Sequence, residues 1–388
     1  MGRINNLPKE IMSEILSRLP TESVLDCKLV CKRWLNVVLH PSFSHMHFNR
    51  LDSAGKLSFI FFIPELAEEF SYVEFDENSH ETLFSRKTRM NLSSPFDKYR
   101  YSLVNSCYGL VCLNASYKGY YGPAYICNPI TREYILLPIS KRAYQWTGFG
   151  YIPSTSEYKV VRISVGSRDL NAGNIQVYTL GSGFGWRNVG NTDIEIDNFA
   201  APAGAFANGA LHRVNKREGT VLAFHLTNEK FIELPSPPCL TAGVSVTLKV
   251  LGNFLSATSY HNASSCEIWL LKKNKDNCDD LSWSKDFSFD VFDNYKSWPF
   301  CYTKCGRLLF YGDNNISSYH PKDSSAKMDV SFGKTIVKGI PHKNTLVSLK
   351  VLGEKNVRTM ESSEGASSSE QTENKDQLKK PQNEVRDL

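Results

Sequence analysis

The sequence predicts a small helical module followed by an all-β domain, most simply a six-bladed β-propeller. Helical periodicity is confined to the first fifty residues, whereas short strands fill residues 57–352 and recur in glycine-marked units of similar length. A two-sheet β-sandwich is the alternative, because it also accommodates irregular repeats of short strands. We expect a helical domain over 1–50, a β domain over 51–352 and a disordered tail over 353–388.

The first predicted helix follows Pro8, whose missing N–H is harmless in a first helical turn. Leu7, Ile11 and Ile15 recur at a spacing of four, which places them along one face of the helix. Met12, Leu16 and Leu19 widen this apolar stripe beyond what one packing face needs. Pro20 ends the helix.

Two further helices are expected before residue 41. Thr21 or Ser23 can cap a short second helix. A third is predicted from about Lys28 to Leu39, because its polar residues line one stripe, and His40-Pro41 ends it. Three apolar positions are expected in the module's own core: Leu16, Leu29 and Val37.

The helical module carries more apolar surface than it can bury alone. Seventeen of the thirty-three residues from Leu7 to Leu39 are apolar. Ordering this segment costs roughly 50 kcal/mol, which about 2,000 Å² of apolar burial would offset. Chains below about 40 residues rarely reach such burial. The surplus predicts a partner, either the rest of this chain or another protein.

The β domain is expected from short runs rich in β-branched and aromatic residues and bounded by turn residues, such as Tyr158–Ile163 and Glu267–Leu271. Repeat units open at five marker glycines: Gly109, Gly150, Gly209, Gly252 and Gly306. Their spacings of 41, 59, 43 and 54 residues match propeller blades of about 40–50 residues. About three hundred residues at this period predict six blades.

The last segment, from Gly353, contains no aromatic residue and runs through GASSSEQTENK. Such a composition cannot bury enough apolar surface to fold, so we expect a solvated, disordered tail.

Composition and motifs exclude several classes of protein. The net charge of +5 is mild, and the basic residues are scattered. The ten cysteines form no C-x2-C pair, so we expect reduced, mostly buried thiols and no metal site. Gly333-Lys334-Thr335 lacks the earlier glycine of a phosphate loop. With no apolar run long enough for a membrane helix or signal peptide, we expect a soluble intracellular protein without cofactors.

The N-terminal segment resembles the F-box of plant-type F-box proteins. The matching residues, without a gap, are LPKEIMSEILSRLPTESVLDCKLVCKRW, from Leu7 to Trp34. The following domain resembles the kelch-like F-box-associated domain, through Gly109-Leu-Val-Cys-Leu, Cys127-Asn-Pro-Ile-Thr131 and Ile135-Leu-Leu-Pro138. It departs from true kelch repeats by lacking their paired glycines. Tyr108 stands where family members often carry Asn.

This resemblance implies a non-catalytic substrate receptor of an SCF-type ubiquitin ligase, cytoplasmic or nuclear. The F-box would dock on a Skp-type adaptor, which links it to a cullin scaffold, and the β domain would bind the protein to be ubiquitinated. The adaptor-facing residues implied are Leu7, Pro8, Ile11, Ile15, Leu19, Pro20, Leu25, Val30 and Trp34. Aromatic residues near predicted loops are candidate target contacts, since Tyr and Trp are enriched in binding hot spots: Tyr117, Tyr120, Tyr121, Tyr295 and Trp298.

Two alternatives remain at the level of the sequence. One is a nucleic-acid binder that uses residues 28–39 as an exposed, basic recognition helix containing Lys28, Lys32, Arg33 and Trp34. The other is a propeller hydrolase or lectin with a helical cap, although no catalytic motif is found. Neither metal, membrane nor nucleic acid is expected as a partner.

Overall fold

The structure, a computed structural model, describes residues 7–53, 57–63, 69–76, 84–90, 100–117, 120–139, 144–165, 173–192, 204–215, 218–241, 244–261, 265–273, 281–290, 297–321 and 325–360. Within these residues four helices come first, and every later regular element is a strand.

The helical module, residues 7–53, has four helices where the sequence predicted three: α1 (Lys9–Leu16), α2 (Thr21–Cys27), α3 (Lys32–Val38) and α4 (Pro41–Ser53). The prediction treated Pro41 as a stop, but it begins α4. A proline can end one helix and open the next, because its missing N–H is an orphan in any first turn.

The predicted third helix is also too long at its start. Cys31 is extended, with φ −164° and ψ 165°, so α3 begins at Lys32 and residues 28–30 form a turn after α2. The assignment of residues 28–39 to one continuous helix is therefore wrong. Leu29, expected in the core, is 86% exposed.

One apolar cluster holds the four helices together, and the propeller contributes to it. Its buried members are Met12, Leu16, Val24, Val37, Val38, Phe43 and Leu346. Leu346 comes from the propeller part of the chain, shortly after residue 341, and is 5% exposed. Part of the module's apolar surplus is therefore covered by its own chain.

The strands form six sheets within the described residues, in chain order as follows. The first blade has β1 (Leu57–Ile63), β2 (Glu69–Phe75) and β3 (Phe84–Met90). The second has β4 (Arg100–Cys107), β5 (Leu110–Tyr117), β6 (Tyr120–Asn128) and β7 (Glu133–Leu136). The third has β8 (Tyr144–Ile152), β9 (Glu157–Val165), β10 (Gly173–Thr179) and β11 (Trp186–Thr192).

The fourth blade has β12 (Ala205–Ala207), β13 (Ala210–Asn215), β14 (Thr220–His225) and β15 (Lys230–Leu234). The fifth has β16 (Val246–Leu251), β17 (Phe254–His261), β18 (Ser265–Lys273) and β19 (Leu281–Asp290). The sixth has β20 (Trp298–Tyr302), β21 (Leu308–Tyr311), β22 (Asn315–His320) and β23 (Ser325–Ser331). Two late strands, β24 (Lys338–Pro341) and β25 (Arg358–Thr359), join the first and second blades.

The sheets form a closed six-bladed β-propeller. Their inner strands, β4, β8, β12, β16, β20 and β24, contact one another in a ring. β24 closes it by pairing with β1, with Phe59 opposite Pro341 and Phe62 opposite Lys338. Closure leaves short, protected edges and packs apolar clusters between neighbouring blades. The six-bladed prediction is confirmed, and the sandwich alternative is wrong.

The glycine markers have a structural cause at four of five positions. Gly109, Gly209, Gly252 and Gly306 lie in the turn between the inner and second strand of their blades, with φ between +62° and +83°. Such φ values favour glycine because it has no Cβ. Gly150 lies within β8 instead, so it is not an equivalent marker.

The Leu-Pro endings of two repeat units also have a shared role. The indole N–H of Trp186 donates to the carbonyl of Pro138 at 2.9 Å, and that of Trp283 donates to Pro235 at 2.6 Å. Each Trp lies in the outer strand of the blade that follows. The repeat in the sequence therefore preserves a link between neighbouring blades.

The predicted tail begins too early. Residues 353–360 are ordered, because Arg358 and Thr359 pair with Tyr134 and Glu133 at the edge of β7, and Met360 is buried. Backbone pairing does not require an apolar sequence, so composition could not reveal it. The predicted disorder of residues 361–388 lies outside the described residues.

Antiparallel pairing gives the propeller two distinguishable faces. The turns that follow β4 and β6 lie on the face that contacts the helical module, which we call the helix-side face. The connections that follow β5, β9 and β19, and the starts of β20 and β24, lie at the opposite end of the strands, which we call the far face.

Candidate functional site

The helical module concentrates exposed apolar side chains. Five of the twelve large apolar side chains that are exposed in the described residues belong to it: Ile11, Ile15, Leu29, Val30 and Leu39, between 44% and 86% exposed. Ile11 and Ile15 lie one turn apart on α1 and share a face. Apolar exposure concentrated in one small module indicates an interaction surface.

The predicted adaptor-facing residues divide into two groups. Pro8, Ile11, Ile15, Pro20 and Val30 are exposed. Leu7, Leu19, Leu25 and Trp34 are half-buried against the module's own core. Leu29 and Leu39 are also exposed but were not predicted as part of this surface, since both were assigned to a single long helix.

Polar contacts hold α1 in place beneath its exposed face. Glu14 accepts hydrogen bonds from Arg18 at 2.7 Å and from Arg50 of α4 at 2.5 Å. The bond from Arg50 holds the pKa of the Glu14 carboxyl below its ordinary value. Arg33 of α3 donates to the carbonyl of Leu7 at 2.6 Å. These bonds fix the helix that presents Ile11 and Ile15.

The module is seated on the propeller through the segment that follows β24. Thr21 Oγ1 donates to the carbonyl of Asn344 at 3.2 Å, and Asn344 Nδ2 donates to Glu22 Oε1 at 3.0 Å. Both module residues open α2, so the start of this helix is anchored to the propeller while Leu346 fills the core beneath it.

An aromatic stack makes a second contact between the two parts. The ring of Tyr108 lies 4.4 Å from Phe48 of α4 and 4.1 Å from Tyr151 of the third blade. Tyr108 has φ +44°, whereas the equivalent turn position in the fourth blade carries Asn208 at φ +49°. Asn adopts this conformation more readily than Tyr. The stack offsets the strain at Tyr108.

His342 links the seat to the inner ring. Its Nδ1 is 2.7 Å from Ser106 Oγ of β4, and its Nε2 is 3.1 Å from Asn344 Oδ1. Ser58 of β1 donates to the carbonyl of His342. Burial lowers the pKa of His342 to about 4, so the imidazole is neutral near pH 7.

The candidate target contacts lie on the far face where they are described. Tyr117 and Tyr120 are a paired position at the far end of β5 and β6, with Tyr121 following. Trp298 opens β20 and packs against Tyr260 with ring centres 5.3 Å apart. Tyr295 lies outside the described residues. The helical module occupies part of the helix-side face, so these positions lie on the face that is turned away from it.

Comparison with known protein families identifies both parts of the chain. The family model of the F-box associated beta propeller domain matches residues 58–306, more than half of the chain. The chain belongs to this family. An F-box-like model matches residues 4–50, which contain α1 to α3 and most of α4, so the helical module is the F-box.

Relatives of this F-box protein are found in Arabidopsis thaliana. F-box protein At3g07870 is 26% identical over 327 residues, covering 75% of this chain and 74% of that protein. F-box/kelch-repeat protein At3g23880 is 26% identical over 297 residues, covering 72% and 79%. A chain of the nidogen/laminin complex matches 75% of this chain over 99% of its own length, with 9% identity and a TM-score of 0.45.

The structure of the F-box removes the continuous recognition helix that a nucleic-acid binder would need. Residues 28–30 form a turn, and Lys28 is half-buried near Glu133 of the propeller, where burial lowers its pKa. Arg33 is held by the Leu7 carbonyl. Two of the three basic side chains of the hypothetical recognition helix are therefore engaged within the protein.

The described part of the chain lacks both a metal-binding cluster and a membrane-spanning helix. No group of three His, Cys, Asp or Glu side chains there could hold a metal ion. None of the helices there is long and apolar enough to span a bilayer. Gly333-Lys334-Thr335 lies in the connection between β23 and β24.

Proposed function

We propose that this F-box protein is the non-catalytic substrate receptor of an SCF-type ubiquitin ligase, acting in the cytoplasm or nucleus. The observation that carries the proposal is the exposed apolar surface of an F-box that is seated on the propeller through other residues. Such a surface suits a Skp-type adaptor, through which a cullin scaffold would be reached. The propeller would hold the target protein on its far face.

In this role the chain contributes proximity rather than chemistry. Holding the target near the charged ubiquitin carrier raises the effective concentration of its lysines. The seat formed by Thr21, Asn344 and Leu346 supports this role, because a fixed F-box gives the far face a fixed direction relative to the adaptor.

The adaptor-docking surface is tested with Ile11→Asp combined with Ile15→Asp. Both side chains are 47% exposed, so the substitutions leave the core of the F-box intact. Placing two charges in an apolar interface should weaken binding of a purified Skp-type adaptor at least about hundredfold, since each isoleucine contributes roughly 1.5–3 kcal/mol when buried. Wild-type binding should persist at about 1 M salt, which screens exposed charges but not apolar contacts.

Phe184→Asp combined with Met328→Asp is the matched control. These side chains are 81% and 62% exposed and lie on the propeller. The control should bind the adaptor like the wild type. Undiminished binding by the Ile11 and Ile15 variant, or no binding by the wild type, would contradict the proposal.

A further inference from the structure

Two lysines lie on inner strands of the propeller and point their ammonium groups at backbone carbonyls of the neighbouring blade. Lys338 opens β24 in the first blade, and its Nζ donates to the carbonyls of Leu103 at 2.6 Å and Val104 at 3.1 Å. Lys249 of β16 in the fifth blade donates to the carbonyl of Pro299 at 3.1 Å. Each lysine therefore crosses to the next inner strand around the ring.

Both acceptor sites are irregularities in strand pairing. The register of β4 shifts between Leu103 and Asn105, and that of β20 shifts between Pro299 and Cys301. A bulge leaves a backbone group outside the regular ladder, where it can accept another hydrogen bond. The two lysines thus occupy equivalent niches beside the central channel.

Neither niche supplies a negative charge. Within the described ranges no carboxylate forms an ion pair with Lys249 or Lys338, whereas Lys159 pairs with Glu229 at 2.9 Å and Lys272 with Asp286 at 2.6 Å. An ammonium group removed from water is destabilised unless it is paired. Burial lowers the pKa of Lys249 to about 7, with the charge of Lys338 adding to the effect, and lowers that of Lys338 to about 8.

Trp298 stands between the two niches. It opens β20 in the sixth blade, which lies between the fifth and the first, and the Nζ of Lys249 is 5.6 Å from its ring centre. β20 and β24 both begin at the far face. Three consecutive inner strands therefore carry two ammonium groups and one half-buried aromatic ring, with Trp298 at the far-face end of β20.

We propose that Lys249, Lys338 and Trp298 form a site at the far-face mouth of the channel that binds a carboxylate from an acidic segment of the target protein. A carboxylate can accept hydrogen bonds from both ammonium groups and supplies the charge that both niches lack. The indole face gives the side-chain methylenes an apolar wall. The site rests on the proposed function, since it assigns a chemistry to the target that the far face receives.

The first test measures binding of fluorescein-labelled hexaglutamate to the full chain by anisotropy at a fixed salt concentration, with hexaglutamine as the uncharged control. Lys249→Met with Lys338→Met should weaken hexaglutamate binding about tenfold for each lysine, since each removes a charge-assisted hydrogen bond. Lys230→Met with Lys327→Met removes the same charge from exposed outer strands and should change binding less than twofold. Equal losses in both pairs would overturn the site.

The second test needs no variant and covers the case in which the methionine protein does not fold. Hexaglutamate affinity of the wild type should fall between pH 7 and pH 9, because Lys249 and Lys338 lose their protons there. The groups that face them, Cys266, Cys112 and Tyr311, remain neutral, since burial raises their pKa. Exposed lysines keep their charge to about pH 10, so a flat profile would overturn the proposal.

Two further measurements distinguish failure of the channel site from failure of the receptor role. Adaptor capture with the same preparation reports on the F-box independently of the channel. A chain that captures the adaptor but does not distinguish hexaglutamate from hexaglutamine overturns the channel site and leaves the receptor role standing. Binding of citrate at the lysines without binding of hexaglutamate would overturn the assignment to an acidic protein segment.

Discussion

Gly109 occupies a turn in which two separate constraints exclude a side chain. Its φ is +81°, and a Cβ atom would overlap the side chain of Thr345. Gly209 has the equivalent turn in the fourth blade, with φ +74°, but no described atom lies within 4 Å of where its Cβ would be. Comparing the same substitution at these two glycines therefore separates the effect of backbone strain from that of steric overlap.

Gly109→Ala should destabilise the protein by about 2 kcal/mol more than Gly209→Ala. Both variants incur roughly 1–2 kcal/mol for the left-handed backbone. Only Gly109→Ala also displaces Thr345, whose carbonyl accepts a hydrogen bond from Asn128 at 3.0 Å. Urea unfolding of the two variants measures the difference. Equal free energies of unfolding would show that the segment around Thr345 moves aside without lowering the stability of the protein.

At the scale of elements, the strands were easier to predict than their assembly. Short runs rich in β-branched and aromatic residues placed Tyr158–Ile163 within β9 and Glu267–Leu271 within β18. The F-box motif located α1. The pairing of β24 with β1 could not be read from either segment, since ring closure depends on contacts between residues nearly three hundred positions apart.

The candidate site shows the same division. Ile11, Ile15 and Val30, which the family resemblance implies face the adaptor, are exposed. Leu29 was misplaced because the extended Cys31 interrupts the period on which the assignment relied. The niches of Lys249 and Lys338 were not predicted, because the residues of a single strand do not indicate where a bulge forms.

The segment 353–360 is an element whose contribution can be measured by truncation. Glu354 accepts a hydrogen bond from the amide of Gly181 at 2.7 Å, and Met360 is 2% exposed in the cluster that contains Tyr134. Ending the chain after Leu352 removes these contacts and should cost about 2–5 kcal/mol. Ending it after Met360 should leave the urea midpoint unchanged, as expected for a disordered tail.

The two truncations test separately whether residues 353–360 stabilise the fold and whether residues 361–388 are disordered as predicted. A loss of stability on removing residues 361–388 would contradict the predicted disorder. Unchanged stability after truncation at Leu352 would show that the pairing of β25 with β7 contributes nothing to the fold. Met360→Ala in the full chain isolates the side chain from the strand.

At the scale of the whole molecule, residues 338–346 join two tasks. They close the propeller through β24 and complete the F-box core through Leu346. His342 lies midway, bonded to Ser106 of the ring and to Asn344 of the seat. Stability of the ring and position of the F-box should therefore depend on the same residue.

The pH dependence of unfolding tests this coupling. The pKa of His342 is about 4 in the folded protein and about 6.5 when unfolded, so the unfolded chain binds the extra proton between these values. Stability is thus retained above pH 6.5 and lost as the pH falls towards 4, by about 2 kcal/mol between pH 7 and pH 5. His342→Gln keeps hydrogen-bonding groups but cannot titrate, so its loss over that interval should be smaller by this amount. The other titratable groups are present in both proteins, which makes the difference between the two profiles the informative quantity. Identical pH profiles for the two proteins would mean that His342 is not the group that couples the ring to the seat.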